Sequence, residues 1–289
     1  MKYIYGLNIS GLSVLKYFFN NKISFLAWDD EKNIRKKIST KYKNTKFVHP
    51  KDLDWSLVSE AYISPGINLN NTFLLKSKNF NTELYRDLEL YSQLNKKNRI
   101  IAITGTNGKS TTVKLISKML ESNSLDNFLG GNIGIPLMDF YNNNINTKNH
   151  IIELSSYQLE SAPSFKSYIS ILLNISKDHL DKYKSFKEYA SQKEKIFNFK
   201  KNNFNIICVD DNKTFKIFQN NKKNLIPISL YKIKKGIYFK DQYIIDNYFS
   251  PYSKIKLDSI SSHLFGSFNI VNILILYVVS KILDIEVEK

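Results

Sequence analysis

The chain has 289 residues, 43% of them hydrophobic, which suits two globular domains that each bury a core. The formal net charge of +16 comes mostly from lysine scattered along the whole length, with no Arg-rich arm, helix-turn-helix signal or zinc spacing, so it argues composition rather than a nucleic-acid partner. The single cysteine, Cys208, excludes an intramolecular disulfide, fits a reducing compartment and reads as a small buried hydrophobe after Ile206-Ile207.

Met1 to Gly6 has no long apolar core or small-residue cleavage site, so it reads as a strand (Tyr3–Gly6) and not as a secretion signal. Gly6 to Gly11 is then a glycine turn, Leu12–Asn20 a helix and Ile23–Trp28 a second strand ending at Asp29-Asp30. This is a βαβ opening of dinucleotide type, although Asn8 stands where a middle glycine is usual; a plain strand-to-helix turn remains open. Ala61-Tyr62-Ile63 runs into Ser64-Pro65-Gly66, a turn at a strand's carboxyl end. Leu84–Leu94 has helical spacing, and the polar break Asn95 to Asn98 marks a domain boundary: residues 1–94, then 95–289.

The second domain opens on the apolar run Ile100 to Ile103 and continues Thr104-Gly105-Thr106-Asn107-Gly108-Lys109-Ser110-Thr111-Thr112. A β-branched strand, a glycine turn, Lys-Ser-Thr and a helical pattern in that order build a site for nucleotide phosphates. Glycines let backbone N–H groups approach phosphate oxygens, Lys109 adds a point charge, and Ser110 offers a hydroxyl to Mg²⁺. Ile103 occupies the place where the commoner phosphate loop has its first glycine, so the loop is the shorter Gly-x-x-Gly-Lys-Ser form.

Further on, Val113–Ser122 reads as a helix and Gly130 to Gly134 as a loop. His150–Leu154 and Ile169–Asn174 read as strands, Lys187–Phe197 as a helix and Phe204–Val209 as a strand. Leu230 to Leu257 suggests β-hairpins, and Ile270–Leu283 is a buried helix too short to span a bilayer. Glu153 sits where an apolar strand ends; it is either a carboxylate held by a cation or a solvated edge acid. His179, in the polar turn after Asn174, is a metal or acid/base candidate or an ordinary surface histidine. His49, His150 and His263 read as structural. Nothing local distinguishes Lys193 from Lys195 on the helix that carries both.

Taken together, Gly-Thr-Asn-Gly-Lys-Ser-Thr, Gly-Gly-Asn-Ile-Gly, Glu-Leu-Ser-Ser-Tyr-Gln-Leu-Glu, Leu-Asn-Ile-Ser-x-Asp-His-Leu-Asp and Tyr-Ala-x-x-Lys resemble the Mur ligases, ATP-dependent amide ligases of peptidoglycan precursor synthesis. The Ser-Ser-Tyr-Gln-Leu-Glu element most resembles the member that adds D-glutamate to UDP-N-acetylmuramoyl-L-alanine. The resemblance implies an α/β fold: a Rossmann-like parallel-sheet domain for the UDP substrate, then a P-loop ATPase-type domain with a small β-rich part. It also implies a cytoplasmic location tied to cell-wall growth, cell shape and division. ATP would lie on Gly105, Thr106, Asn107, Gly108, Lys109, Ser110 and Thr111, with Asn269 and Asn272 near the adenine and Phe268 in place of the family's usual histidine. Two Mg²⁺ ions would be shared among Ser110, Glu153, His179 and Lys193, with Lys193 carbamylated as in the family. Lys109, His179 and Lys193 would carry catalysis. Asn132, Ser155 and Gln158 would line the muramoyl substrate, and Gly11, Asp29 and Gly66 the loops around the uridine diphosphate.

The family has a third domain that closes over ATP and supplies the amino-acid site, and Lys289 follows soon after the last helix. The expectation is therefore the first two domains of a monomeric ligase, either one half of a split enzyme partnered by a separate C-terminal polypeptide or a truncated product, with no nucleic-acid or membrane partner. The alternatives are a remnant that only binds UDP-sugar or nucleotide, and another Mur or folylpolyglutamate synthase-type ligase.

Overall fold

The computed structural model describes residues 1–178, 182–199, 202–249, 252–257 and 266–285. The chain divides into two compact units. The first joins residues 1–97 to 130–146 and 157–165; the second joins 98–129, 147–156 and 166–289. Two short segments from the middle of the sequence thus belong with the N-terminal unit.

In chain order the first unit starts with β1 (Lys2–Tyr5), α1 (Ile9–Asn20), β2 (Phe25–Trp28), α2 (Lys32–Lys41), β3 (Glu60–Ile63), α3 (Thr72–Leu75), β4 (Glu83–Tyr85) and α4 (Asp87–Leu94). All four strands are parallel in the order β2-β1-β3-β4. Tyr3, Ile4, Ala61 and Ile63 are buried, as expected of a sheet covered on both faces. Leu84 and Tyr85 lie in β4 and not in the helix their spacing suggested. They extend the apolar period of α4 backward, and a three-residue strand is too short to announce itself. The order reverses between β1 and β3, which opens a crevice at their carboxyl ends.

Next come β5 (Arg99–Thr104), α5 (Lys109–Ser122), β6 (Asn127–Gly131), α6 (Asp139–Asn142), β7 (Asn149–Glu153), α7 (Ser156–Glu160), β8 (Ile169–Leu172) and α8 (Phe186–Glu194). The chain continues through β9 (Phe204–Cys208), α9 (Asn212–Asn220), β10 (Ile226–Ser229), β11 (Ile237–Lys240), β12 (Tyr243–Asp246), β13 (Ser253–Lys256) and α10 (Ser267–Leu283). The larger sheet has the order β13-β12-β11-β10-β9-β8-β5-β7-β6. Strand β5 pairs in parallel with β7 and β8, and β8 through β11 continue parallel. The β11–β12 and β12–β13 pairs are antiparallel, which accounts for the hairpin patterning. Gly130 and Gly131 belong to β6 and not to the expected loop. Cys208 is buried and unoxidised. No helix among the described residues is long and apolar enough to cross a membrane.

Gly11 is buried in α1 where that helix meets the end of β1. A methyl group there would overlap the Gly6 carbonyl oxygen and crowd Ser64 Oγ at 2.9 Å. Gly11→Ala should therefore destabilise the fold by about 1–3 kcal/mol or more, the cost of overpacking a closed contact. A urea midpoint equal to that of the parent chain would refute the steric account.

Candidate functional site

The phosphate-type loop hangs from β5, whose residues Ile101 to Ile103 are fully buried. Gly108 caps α5 with φ of +85°, a left-handed conformation that suits glycine and turns the backbone into the helix. The helix then starts at Lys109 and points its N-terminus, with its unpaired N–H groups and positive dipole end, toward the loop.

Three neighbouring elements fix this loop. Glu153, at the end of β7, lies opposite Ile103 in the ladder and is 1% exposed. Ser110 Oγ donates to Glu153 Oε2 at 2.8 Å. Asn174, two residues beyond β8, acts as a clamp: its Oδ1 accepts from Thr106 N at 3.1 Å and Asn107 N at 2.9 Å. Its Nδ2 donates to the Asn107 carbonyl at 3.0 Å. From α8, Lys193 Nζ donates to the Gly105 carbonyl at 2.8 Å.

Lys109 Nζ donates to the same Gly105 carbonyl at 2.9 Å and to Thr106 O at 2.8 Å. Two ammonium groups therefore converge on one loop. Burial pulls the Lys193 pKa down from 10.5 to about 7, with the Lys109 charge as the next cause. Burial also lowers Lys109, against the nearby Glu153 and Asp178 charges. Lys193 is 2% exposed, whereas Lys195 is exposed. The α8 register, which buries Tyr189, Ala190 and Lys193 on one face, separates the two lysines that the sequence leaves equivalent. The Lys193 ammonium also lies 4.8 Å from the Tyr189 ring centroid.

Beside the loop a cavity of about 440 Å³ runs from Asn107, Gly108 and Thr111 to Asn269 and Asn272 on α10. Asn272 Oδ1 accepts from Thr112 Oγ1 at 2.7 Å, which ties α10 to α5. Phe268 is 71% exposed on this cavity's lining. His179 lies outside the described residues, as does His263. His150 is fully buried with Nε2 on the Thr147 carbonyl, and burial lowers its pKa to about 4, consistent with a structural residue. His49 packs edge-on against Trp28 and Phe73.

The first unit has its own cleft of about 520 Å³ at the carboxyl ends of β1 and β3. Asp29, Gly66, Asn132 and Gln158 line it. Asp29 is buried and accepts from Leu7 N at 2.6 Å and Glu31 N at 2.9 Å, so it joins the two loops that follow β1 and β2. Gly66 has room for a Cβ. Gly11 lies behind the cleft as a packing contact, and Ser155 belongs to the second unit.

Two organising residues were not singled out from sequence. Asn174 is one. The other is Arg86, 1% exposed, whose Nη1 donates to the carbonyls of Ile63 (3.1 Å), Ser64 (2.5 Å) and Ile67 (3.0 Å). Its Nη2 meets Glu160 Oε2 at 3.3 Å, so one guanidinium holds the Ser64–Ile67 turn and the segment bearing Gln158. An arginine before a helix carries no local signal of such a role.

The Mur ligase middle-domain family profile matches residues 103–279. The UDP-N-acetylmuramoylalanine–D-glutamate ligase of Rickettsia bellii is 35% identical over 98% of this chain and 63% of its own length. That of Rickettsia prowazekii is 36% identical over 99% of this chain and 64% of its own. The chain thus spans a little under two thirds of these curated relatives. Among solved structures, the UDP-N-acetylmuramate:L-alanyl-gamma-D-glutamyl-meso-diaminopimelate ligase from Neisseria meningitides shares the fold. It has a TM-score of 0.58 at 13% identity, over 98% of this chain and 94% of that one.

Two measurements test this geometry. Asn174→Asp keeps the size but replaces the Nδ2 donor with a negative charge beside the loop. It should weaken nucleotide binding by about 1–3 kcal/mol, roughly ten- to a hundredfold, and by more than Asn174→Ala does. Equal nucleotide affinity for the N174D variant and the parent chain in calorimetry would remove the clamp from the argument. For Lys193, the folded chain releases its proton near pH 7 while the unfolded chain holds it to about 10.5. The unfolded state then binds more protons across that window, so this group makes stability rise with pH there. Lys193→Met should flatten that rise in urea titrations run between neutral and alkaline pH; an unchanged slope would contradict the buried-lysine assignment.

Proposed function

The chain belongs to the Mur ligase family, and we propose that it is the UDP-substrate- and ATP-binding part of a ligase joining D-glutamate to UDP-N-acetylmuramoyl-L-alanine. The observation that carries this reading is the convergence of Lys109 and Lys193 on Gly105 O beside the Ser110–Glu153 pair. While Lys193 is unmodified, two amino groups directed at one backbone carbonyl repel each other when both are protonated, and a phosphate group relieves that repulsion.

In the proposed reaction the substrate carboxylate attacks the γ-phosphorus of ATP. The bond to the bridging oxygen breaks, ADP leaves, and an acyl phosphate forms. The neutral amine of D-glutamate then attacks the acyl carbon. The tetrahedral intermediate loses phosphate, and the amine proton passes to solvent, leaving the amide. Each anionic group must approach another, so the chain's main task is to offset repulsion.

Lys109 turns from the Gly105 and Thr106 carbonyls to the β- and γ-phosphates, while the N–H groups at the α5 N-terminus receive the phosphate oxygens; those of Thr106 and Asn107 are held by Asn174. Thr111 adjoins them, and the cavity reaching Asn269 and Asn272 takes the nucleoside. Phe268 offers an aromatic face there in place of the family's histidine. The cleft of Asp29, Gly66, Asn132 and Gln158 takes the UDP end of the other substrate, and Ser155 is assigned to the muramoyl part by the family resemblance.

The donor set also fits magnesium. Ser110 and the buried Glu153 suit one Mg²⁺; a second, on His179 and a carbamylated Lys193, rests on the family resemblance alone, because His179 lies outside the described residues. Magnesium supplies charge neutralisation at the transferred phosphoryl group. A lysine with a pKa near 7 is largely neutral at mildly alkaline pH, which is the form that adds CO₂. The expected setting is the cytoplasm, where UDP-linked cell-wall precursors and ATP meet.

The test is phosphate release from ATP with Mg²⁺ and UDP-N-acetylmuramoyl-L-alanine, with and without D-glutamate. It is run on the chain alone and with the remaining C-terminal part of a Rickettsia relative added as a separate polypeptide. Release that requires D-glutamate is expected in at least the supplemented reaction and is lost in Lys109→Ala. UDP-substrate binding with no release in any combination would replace the ligase reading with a binding role.

A further inference from the structure

A third cavity, of about 970 Å³, lies in the second unit and shares no lining residue with the nucleotide cavity. It is at the upper end of the range of about 300–1,000 Å³ for small-molecule sites, and its form is a groove. Its floor is aliphatic: Val209, Leu225, Pro227 and Ile233. Phe215 and Phe218 on α9 form one wall, and Tyr248 and Tyr252 at the β12–β13 connection line it as well. Phe215 is 42% exposed and Tyr252 64%. Exposed aromatics gathered over an apolar floor commonly mark an interaction surface.

The rim is charged with one sign. Lys222 and Lys223 follow α9, and Lys234 and Lys235 precede β11. No aspartate or glutamate lines the groove among the described residues. Of these lysines, Lys235 lies 5.6 Å from the Tyr248 ring centroid, and none forms an ion pair among the described residues. Four like charges around an apolar trough repel one another and favour a ligand bearing several negative charges around an apolar centre. The trough argues against a nucleic acid: its floor has aliphatic side chains to cover, which a phosphate backbone does not do.

We propose that this groove docks an acidic peptide segment of a partner protein, with an aromatic or aliphatic anchor on the Phe215–Phe218 wall and carboxylates on the four lysines. This inference does not depend on the ligase reading, because it uses neither the phosphate loop nor the UDP cleft.

The test is fluorescence anisotropy with a fluorescein-labelled peptide in which glutamates flank a Phe-Leu pair. Saturable binding that weakens with added salt is expected. Reversing the rim (K222E, K223E, K234E and K235E together) should weaken it roughly tenfold or more, about 1.4 kcal/mol or more. Phe218→Ser should have a similar effect, as should replacing the peptide's Phe-Leu by Ser-Ser. Nucleotide binding at the phosphate loop stays unchanged in these variants and serves as the folding control. A lysine-flanked Phe-Leu peptide should bind the charge-reversed variant better than the parent. Absence of saturable binding overturns the proposal. So does equal binding of the Ser-Ser peptide, or tighter binding of a poly-dT oligonucleotide, either of which would reduce the groove to non-specific attraction by a basic surface.

Discussion

The position of β5 between β7 and β8 is the constraint on which the second unit's chemistry depends. The ladder pairs Ile103 with Glu153 on one side and with Ile171 on the other. That register delivers a carboxylate to Ser110 from one neighbour and an amide to the loop backbone from the other. A two-residue slip along β7 would move Glu153 by roughly 6–7 Å, out of reach of Ser110. The site therefore rests on a sheet register secured by buried β-branched residues, and the loop inherits its rigidity from that core.

The loop itself was legible in the sequence because glycine, lysine and hydroxyl residues at fixed spacing have few other uses. So was the parallel opening of the first unit. Lys193 could not be separated from Lys195, since both lie in one helical sequence pattern whose apolar face is defined only by what it packs against; α8 itself ends at Glu194. Burial settles it: one lysine is enclosed beside the loop, and the other is in water. Asn174 lay within a motif that was noticed but carried no assigned role. Its function depends on the loop being within hydrogen-bond reach across 67 residues of sequence. Arg86 is the stronger case, because three carbonyls and a carboxylate from separate segments make it an organiser, and none of them is near it in sequence.

Buried charge is common to both units. A fully buried guanidinium or carboxylate is tolerable when most of its hydrogen-bonding capacity is met. Arg86 has its carbonyls, Asp29 has two backbone N–H groups, and Glu153 has Ser110. Asp87 is buried with Gln158, Ser10 and its neighbour's N–H as partners, yet burial still raises its pKa. Lys193 resolves the same problem differently: its charge is weakly held, and a large share of the group is neutral at physiological pH.

That difference bears on how the loop responds to an anion. Lys109 and Lys193 have backbone carbonyls as their hydrogen-bond partners, and the Lys109 charge disfavours that of Lys193. In the proposed reading, a phosphate arriving while Lys193 is still an unmodified amine would favour the charged form of both lysines and raise their pKa values, coupling anion binding to proton uptake. A chain that held these lysines in tight ion pairs would have to break those pairs first. By leaving them on carbonyls, the fold keeps both amino groups available near the helix N-terminus, where the backbone N–H groups already point.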